Sequence, residues 1–330
     1  MEIGIIFMKT LLKKAVLTCI LAFLMVFILI HGKTAKEFAS LGLMTWYEHM
    51  IPTLLPFMIF SGILIRLDLV KLFMKPFSVF LRPLFRLNSY GIYVIVMGFL
   101  CGFPIGAKNC ADLYQKGKLT KDEAEYLLAF TNNIGPTYFY TFVLATIYKT
   151  DQPVLSSFFM FGIPLLYGIF LRYTLYRNKI PFWEKEEPQK LSFSGKKAAF
   201  SLFEAIDDSI TASLIQIAML GGYMVLFNLM VLIPFTLLKG NPSFYGVLHS
   251  ILEISGGFAM IKHQEMSRLL KGILVHGVLA FNGLCCFAQT MNIIQDTDLS
   301  GKKYFGHKMV LCGITVFCVW FFLRATEVIF

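Results

Sequence analysis

The stretch Gly98-Phe99-Leu100-Cys101-Gly102-Phe103-Pro104-Ile105-Gly106-Ala107-Lys108-Asn109 decides how the chain is read. It closes the uncharged apolar run 87–107 with three glycines, a proline and a lysine. The run is long enough to cross a bilayer, since roughly 20 helical residues span the hydrocarbon. Glycine and proline nevertheless break a helix and free backbone groups that lipid cannot satisfy. The spacing is not that of a phosphate-binding P-loop, because Gly102 and Gly106 stand too close and Asn109 follows Lys108. A re-entrant segment near 90–108 fits instead. Its broken helix end would offer N–H groups to an anion, with Lys108 adding a full charge. The structural alternative is a tight bend with Lys108 snorkelling to the interface.

The rest of the sequence supports a membrane setting. Of 330 residues, 57% are hydrophobic and 15% charged, with 34 Phe, 14 Tyr and 16 Met, and mean hydropathy is +0.68. A soluble domain carries about 25% charged residues; so few charges cannot cover so much apolar surface, and the economical solution places it in lipid. The net charge of +10 reads as basic loops on an anionic cytoplasmic leaflet, not as a nucleic-acid surface. The seven cysteines include no CxxC pair and read as buried thiols.

Uncharged runs at 15–32, 49–65, 87–107, 126–148, 152–171, 209–238, 240–252, 254–261, 272–295 and 309–323 predict seven to nine membrane segments. Residues 1–14, 66–86 and 172–197 carry +2, +4 and +4, against +1 for 33–37 and 0 for 149–151. This predicts a cytoplasmic N-terminus, an outer loop at 33–37 and inner loops at 66–86 and 172–197. The chain is then inside at Arg86 and outside at Lys149, so one of 87–107 and 126–148 fails to cross; the glycines select 87–107. The side of 262–271 stays open, its charge of +2 favouring the inside and an inverted repeat the outside. Residues 66–86 and 196–210 read as amphipathic interfacial stretches, and Pro76 and Pro83 argue against one straight helix over 66–86. Thr120 and Glu123 fit a capping box.

Three further polar groups interrupt apolar runs. Thr131, Asn132, Asn133, Gly135, Pro136 and Thr137 break 126–148, where amides are costly unless hydrogen-bonded. They form either a substrate-facing cluster or caps between half-helices. Glu253, beside Gly256 and Gly257, is a lone acid in apolar surroundings; it reads as a cavity-facing or ion-coupling group, or as a salt-bridge partner of His249, Lys262 or Lys108. Asn282, Gly283, Gln289 and Thr290 interrupt 272–295, and Asn282 and Gln289 would share a face if that helix were unbroken. His31 and His276 have no second ligand at metal-binding spacing. No nucleophile–base pair is patterned, so an enzyme is disfavoured.

The order of these motifs, Gly98–Lys108, Glu123–Pro136, Leu252–Gly257 and Phe281–Gln289, resembles the YlbJ-type sporulation integral membrane proteins of the nucleoside-recognition, or Gate-domain, superfamily. The resemblance runs from about Pro52 to Tyr304. It implies an all-α polytopic membrane protein with an internally duplicated, transporter-like fold and broken or re-entrant helices. The organisation expected is an N-terminal transmembrane segment at 1–37, a first Gate-like repeat at 38–180, a cytoplasmic linker at 181–197 and a second repeat at 198–330. The resemblance further implies movement of dipicolinate from the mother cell across the outer forespore membrane. The residues carried over as substrate-binding are Gly102, Phe103, Pro104, Gly106, Lys108, Asn132, Asn133, Gly135, Pro136, Glu253, Gly256, Asn282, Gly283 and Gln289.

The expected activity is that of a secondary carrier or facilitator for a small anionic solute, with proton or sodium coupling through Glu253 and no other cofactor or metal. The expected partners are membrane lipid and either a second copy of the chain or sporulation envelope proteins, with no nucleic acid. The rivals are a nucleoside or other small-solute transporter and a non-transporting sporulation membrane scaffold.

Overall fold

The computed structural model describes residues 2–148, 152–181, 195–237, 242–262 and 264–329. These residues are helical throughout, apart from turns. Helix α1 is Glu2–Ile30 and α2 is Gly32–Arg66, the latter running through a π-turn at Trp46–Met50. The expected loop at 33–37 is therefore helix. Only His31 interrupts it, and the Ala35 N–H already donates to the His31 carbonyl at 2.9 Å. Lys33, Lys36 and Glu37 are exposed while Ala35, Phe38 and Gly42 are buried, so the charges ride on the outer face of a helix.

Helix α3, Val70–Phe85, contains both Pro76 and Pro83. Both prolines are exposed, so the carbonyls they leave unpaired face outward, where solvent or headgroups can satisfy them. Helix α4, Ser89–Cys101, meets α3 at 97°. Its 13 residues rise about 20 Å, short of a bilayer core, and the chain turns at 102–104 into α5, Ile105–Gln115.

Next come α6, Lys121–Thr131, with the Thr120–Glu123 capping box formed, and α7, residues 136–148, mostly π-helical. Helix α8 is Pro153–Tyr173. Arg172 folds the segment after it, donating to the carbonyls of Phe85, Tyr176 and Ile180. Most of the expected hydrophilic linker, 182–194, lies outside the described residues.

Helix α9, Gly195–Met230, absorbs the amphipathic stretch 196–210 into one long rod. It is followed by α10, Leu232–Leu237; α11, Pro242–Leu252; α12, Ile254–Ile261; α13, Arg268–Phe281; α14, Gly283–Ile294; and α15, Gly301–Ile329. Among the described residues, five helical stretches are long and apolar enough to cross a membrane: Gly32–Arg66, Pro153–Tyr173, Leu202–Thr236, Arg268–Ile294 and Gly301–Ala325. The bent α3–α4 pair is a sixth candidate. The apolar runs 126–148 and 240–261 are not simple spans, because each is cut by a break.

Elements α2–α8 and α9–α15 follow a similar order. A long helix (α2, α9) is followed by a shorter one (α3, α10), a helical hairpin (α4–α5, α11–α12), a broken helix (α6–α7, α13–α14) and a closing span (α8, α15). The two long helices pack along each other, with the Trp46 indole N–H donating to the Ile217 carbonyl at 2.7 Å.

The main core lies where α4, α6 and α8 meet around Tyr93, Tyr126 and Phe130, with Phe85 stacked on Phe130 at 5.7 Å. Phe60, Phe80, Phe170, Phe203 and Phe317 face outward, as lipid contact requires. Tyr148 packs edge-on against His276, so the chain before 149 and the start of α13 share one end of the molecule. At the other end Asp298 meets Tyr114 and Lys121, Asp68 pairs with Lys118, and Arg172 reaches Phe85. The start of α13 thus sits opposite Asp68 and α3.

Candidate functional site

Four backbone breaks meet at the centre. The first is Gly102–Pro104, between α4 and α5. Gly102 has φ +78°, a conformation that a side chain resists, and a Cβ there would strike the backbone of Gly135. The second break, 132–135, separates α6 from α7. The two are stitched together by the Phe103 N–H donating to the Asn133 carbonyl at 2.5 Å. Gly98 and Gly106 lie against the Thr131 carbonyl, allowing the backbones to approach this closely.

The third break is Glu253, the N-cap of α12. Its carboxylate accepts from the backbone N–H groups of Ser255 at 3.1 Å and Gly256 at 2.6 Å, and from Asn228 Nδ2 at 3.2 Å. Asn228 Oδ1 meets His249 Nε2 at 3.1 Å. Glu253 therefore neutralises its own helix N-terminus, and neither Lys108 nor Lys262 pairs with it. The fourth break is Asn282, left-handed at φ 72°, between α13 and α14. It separates Asn282 from Gln289, so the shared helix face expected for an unbroken helix does not form.

Asn132 cross-links these breaks. Its Nδ2 donates to Thr290 Oγ1 at 3.1 Å and to the Tyr304 hydroxyl at 3.0 Å, its Oδ1 accepts from the Ala107 N–H at 3.2 Å, and its carbonyl accepts from Asn282 Nδ2 at 2.6 Å. Asn133 donates to the Phe130 carbonyl at 2.5 Å. Lys308 Nζ, buried on α15, donates to the Asn132 carbonyl at 2.7 Å and to Asn133 Oδ1 at 2.8 Å. These amides are already committed to protein partners.

Beside this knot lies a cavity of about 70 Å³, lined by Thr53, Phe57, Phe103, Gly135, Thr137, Tyr138, Glu253, Ser255, Cys285, Cys286 and Gln289, with apolar residues from α2 and α9. It has room for about five waters. Gln289 is 4% exposed; its Nε2 reaches only the Cys285 sulfur, at 3.1 Å, and its Oε1 has no partner. The Tyr138 hydroxyl donates to Ser255 Oγ at 3.1 Å across the cavity. The N-terminus of α7 opens onto it through Gly135 and Thr137.

Of the residues singled out from sequence, Phe103, Gly135, Thr137, Glu253 and Gln289 line the cavity. Gly102, Pro104, Gly106, Pro136 and Gly283 shape the breaks around it, and Gly256 lies against Asn228 and His249. Lys108 is not brought to the cavity; it forms an ion pair with Asp112 at 2.6 Å, one turn along α5. His276 bonds Ser156 Oγ and the Gly272 carbonyl. Among the described residues no group of three or more His, Cys, Asp or Glu could hold a metal ion.

Sequence reasoning missed Lys308, Tyr304 and Asn228. The signal for Lys308 was present: Tyr304, Lys308, Leu311, Thr315, Val319 and Leu323 recur at helical spacing and are all buried, which puts a lysine on an apolar stripe. Asn228 is the fully buried amide of α9, whereas Gln216 in the same run is half-buried.

At the surface, Asp298 accepts from Tyr114 at 2.6 Å and Lys121 at 2.8 Å, and Lys303 pairs with the buried Glu125 at 2.5 Å. These contacts latch the segment 114–125 to 296–303. The Lys121 hydrogen bond, with that of Tyr114, holds the Asp298 carboxyl below the usual carboxylate range.

No family model and no solved structure matches the chain. Among curated proteins, the sporulation integral membrane protein YlbJ of Bacillus subtilis (strain 168) is 28% identical over 331 residues, covering 90% of this chain and 80% of the relative. The aligned region contains all four breaks, and the chain is a homologue of the sporulation integral membrane protein YlbJ along nearly its whole length.

Proposed function

We propose that the chain is a secondary transporter or facilitator for a small carboxylate, with dipicolinate the first candidate, acting in the outer forespore membrane with its N-terminus cytoplasmic. The observation that carries this reading is the cavity at the meeting of four helix breaks, lined by Gln289, whose buried amide oxygen has no hydrogen-bond partner. A buried polar group without a partner is costly, and broken helices in membranes mark substrate sites. Phe57, Phe103 and Tyr138 offer faces for a planar ring. The hydroxyls of Thr53, Thr137 and Ser255, the Gln289 amide and the N–H groups at the start of α7 offer hydrogen bonds to carboxylate oxygens.

The parallel order of elements supports an internal duplication within the Gate-domain superfamily and alternating access by movement of one half against the other. Substrate enters and leaves the cavity as the halves part. The carboxylate travels with a proton or a sodium ion, and Glu253 at the cavity is the coupling group.

The same Glu253, with no cationic side chain lining the cavity, favours a second reading: a neutral solute such as a nucleoside, whose donors would meet Glu253 and Gln289. Competition separates the two. Uptake of labelled dipicolinate into proteoliposomes, challenged with unlabelled dipicolinate, uridine and phosphate, should be blocked by dipicolinate alone and reduced at least tenfold by Gln289→Leu. Block by uridine at equal concentration supports the nucleoside reading. Absence of flux for both solutes under imposed proton and sodium gradients supports a scaffold.

A further inference from the structure

Lys308 is 1% exposed within a membrane-spanning helix, and the transport reading assigns it nothing. Its aliphatic stem follows the apolar stripe of α15, and its Nζ ends on two oxygens, the Asn132 carbonyl at 2.7 Å and Asn133 Oδ1 at 2.8 Å. Both belong to the break at the C-terminus of α6, where the helix dipole places partial negative charge and the last carbonyls lack helical partners. Among the described residues no carboxylate pairs with Lys308: Glu125 is taken by Lys303, and Glu253 by its own helix N-terminus. The Tyr304 ring lies 5.9 Å from its Nζ. A third oxygen, Asn282 Oδ1, has no partner on the adjoining break, and the same side chain's Nδ2 donates to the Asn132 carbonyl that Lys308 also contacts.

A charge buried in a membrane span is expensive unless held by oxygens, and clustered carbonyl oxygens are the usual hosts of bare monovalent cations in membranes. We propose that the Lys308 ammonium is a tethered cation filling an oxygen-lined monovalent-cation site between the breaks at 132–133 and 282. It is a positioning residue: it touches the cross-link between the halves and not the cavity. Removing the side chain should expose that site to a free cation.

Lys308→Ala is purified in detergent and melted in sodium, potassium, methylammonium or N-methylglucamine chloride at equal ionic strength. The expected result is a midpoint roughly 5 °C or more below wild type in N-methylglucamine, recovered by at least half in one of the three small cations. Wild type should show no difference among the four. An Ala variant that melts alike in all four salts overturns the proposal.

Should Ala fail to accumulate, Lys308→Met decides, because it keeps the stem and removes only the charge. A Met variant that melts with wild type overturns the proposal. One that melts low, or fails to accumulate while Thr315→Ala on the same buried stripe accumulates normally, supports it. No substrate is present in these melts, so their outcome stands apart from that of the transport reading.

Discussion

Asn132→Ala tests whether the amides at the second break bind ligand or hold the halves together. The substitution removes three buried side-chain hydrogen bonds, to Thr290, Tyr304 and the Ala107 N–H. Hydrogen bonds between membrane helices average about 0.6 kcal/mol and reach about 1.7, so the loss is about 2–5 kcal/mol. Unfolding entropy near 2.1 cal/mol/K per residue gives about 0.7 kcal/mol/K for a chain of this length, which converts the loss into a midpoint roughly 3–7 °C lower. A thiol-reactive fluorophore reads it directly, because Cys101, Cys110 and Cys285 are free and buried and react on unfolding. Uptake measured well below the midpoint should keep the wild-type KM. A midpoint within about 1 °C of wild type, or a KM raised tenfold with the midpoint unchanged, would refute the cross-link and restore Asn132 as a substrate contact.

Three other outcomes follow from the geometry. Lys108→Ala breaks an i,i+4 pair with Asp112 worth about 0.3–0.5 kcal/mol, so it should leave dipicolinate uptake within twofold of wild type. Gly102→Ala drives a Cβ into the Gly135 backbone at positive φ and should abolish monodisperse protein on size exclusion, whereas Gly117→Ala, also at positive φ but in open space, should cost only about 1–2 kcal/mol. Asp298, with its carboxyl depressed by Lys121 and Tyr114, stabilises the latch above its unfolded value of about 4, and the contribution is lost as pH falls through the lower folded value. Hydrogen exchange over 114–121 should therefore be faster in Asp298→Asn at neutral pH, and the difference should vanish once wild-type Asp298 is protonated.

The breaks were legible because they are local: glycine, proline and asparagine inside apolar runs leave the backbone few alternatives, and residues 102–106, 132–136, 253 and 282–283 all fall at helix ends. Membrane character was legible for a similar reason, since too few charges cover too much apolar surface. The partners of the polar groups were not legible, because they arrive from far along the chain. Asn132 meets Tyr304, and Asn133 meets Lys308, across more than 170 residues. Lys108 looked like the cation of the site because its own apolar run ends beside it, yet a single turn of α5 supplies Asp112. Charge markers also misled where a helix carries them outward. Lys33, Lys36 and Glu37 suggested a loop and sit on the exposed face of α2.

The central claim is that the cavity beside Gln289 is where solute crosses between the halves. Counterflow tests it most directly: proteoliposomes loaded with unlabelled dipicolinate and diluted into a trace of labelled dipicolinate. The account predicts a transient accumulation of label above equilibrium in wild type, lost in Gln289→Leu at an unchanged melting midpoint and absent from empty liposomes. Accumulation that persists in Gln289→Leu at the wild-type rate would place the path elsewhere and contradict it.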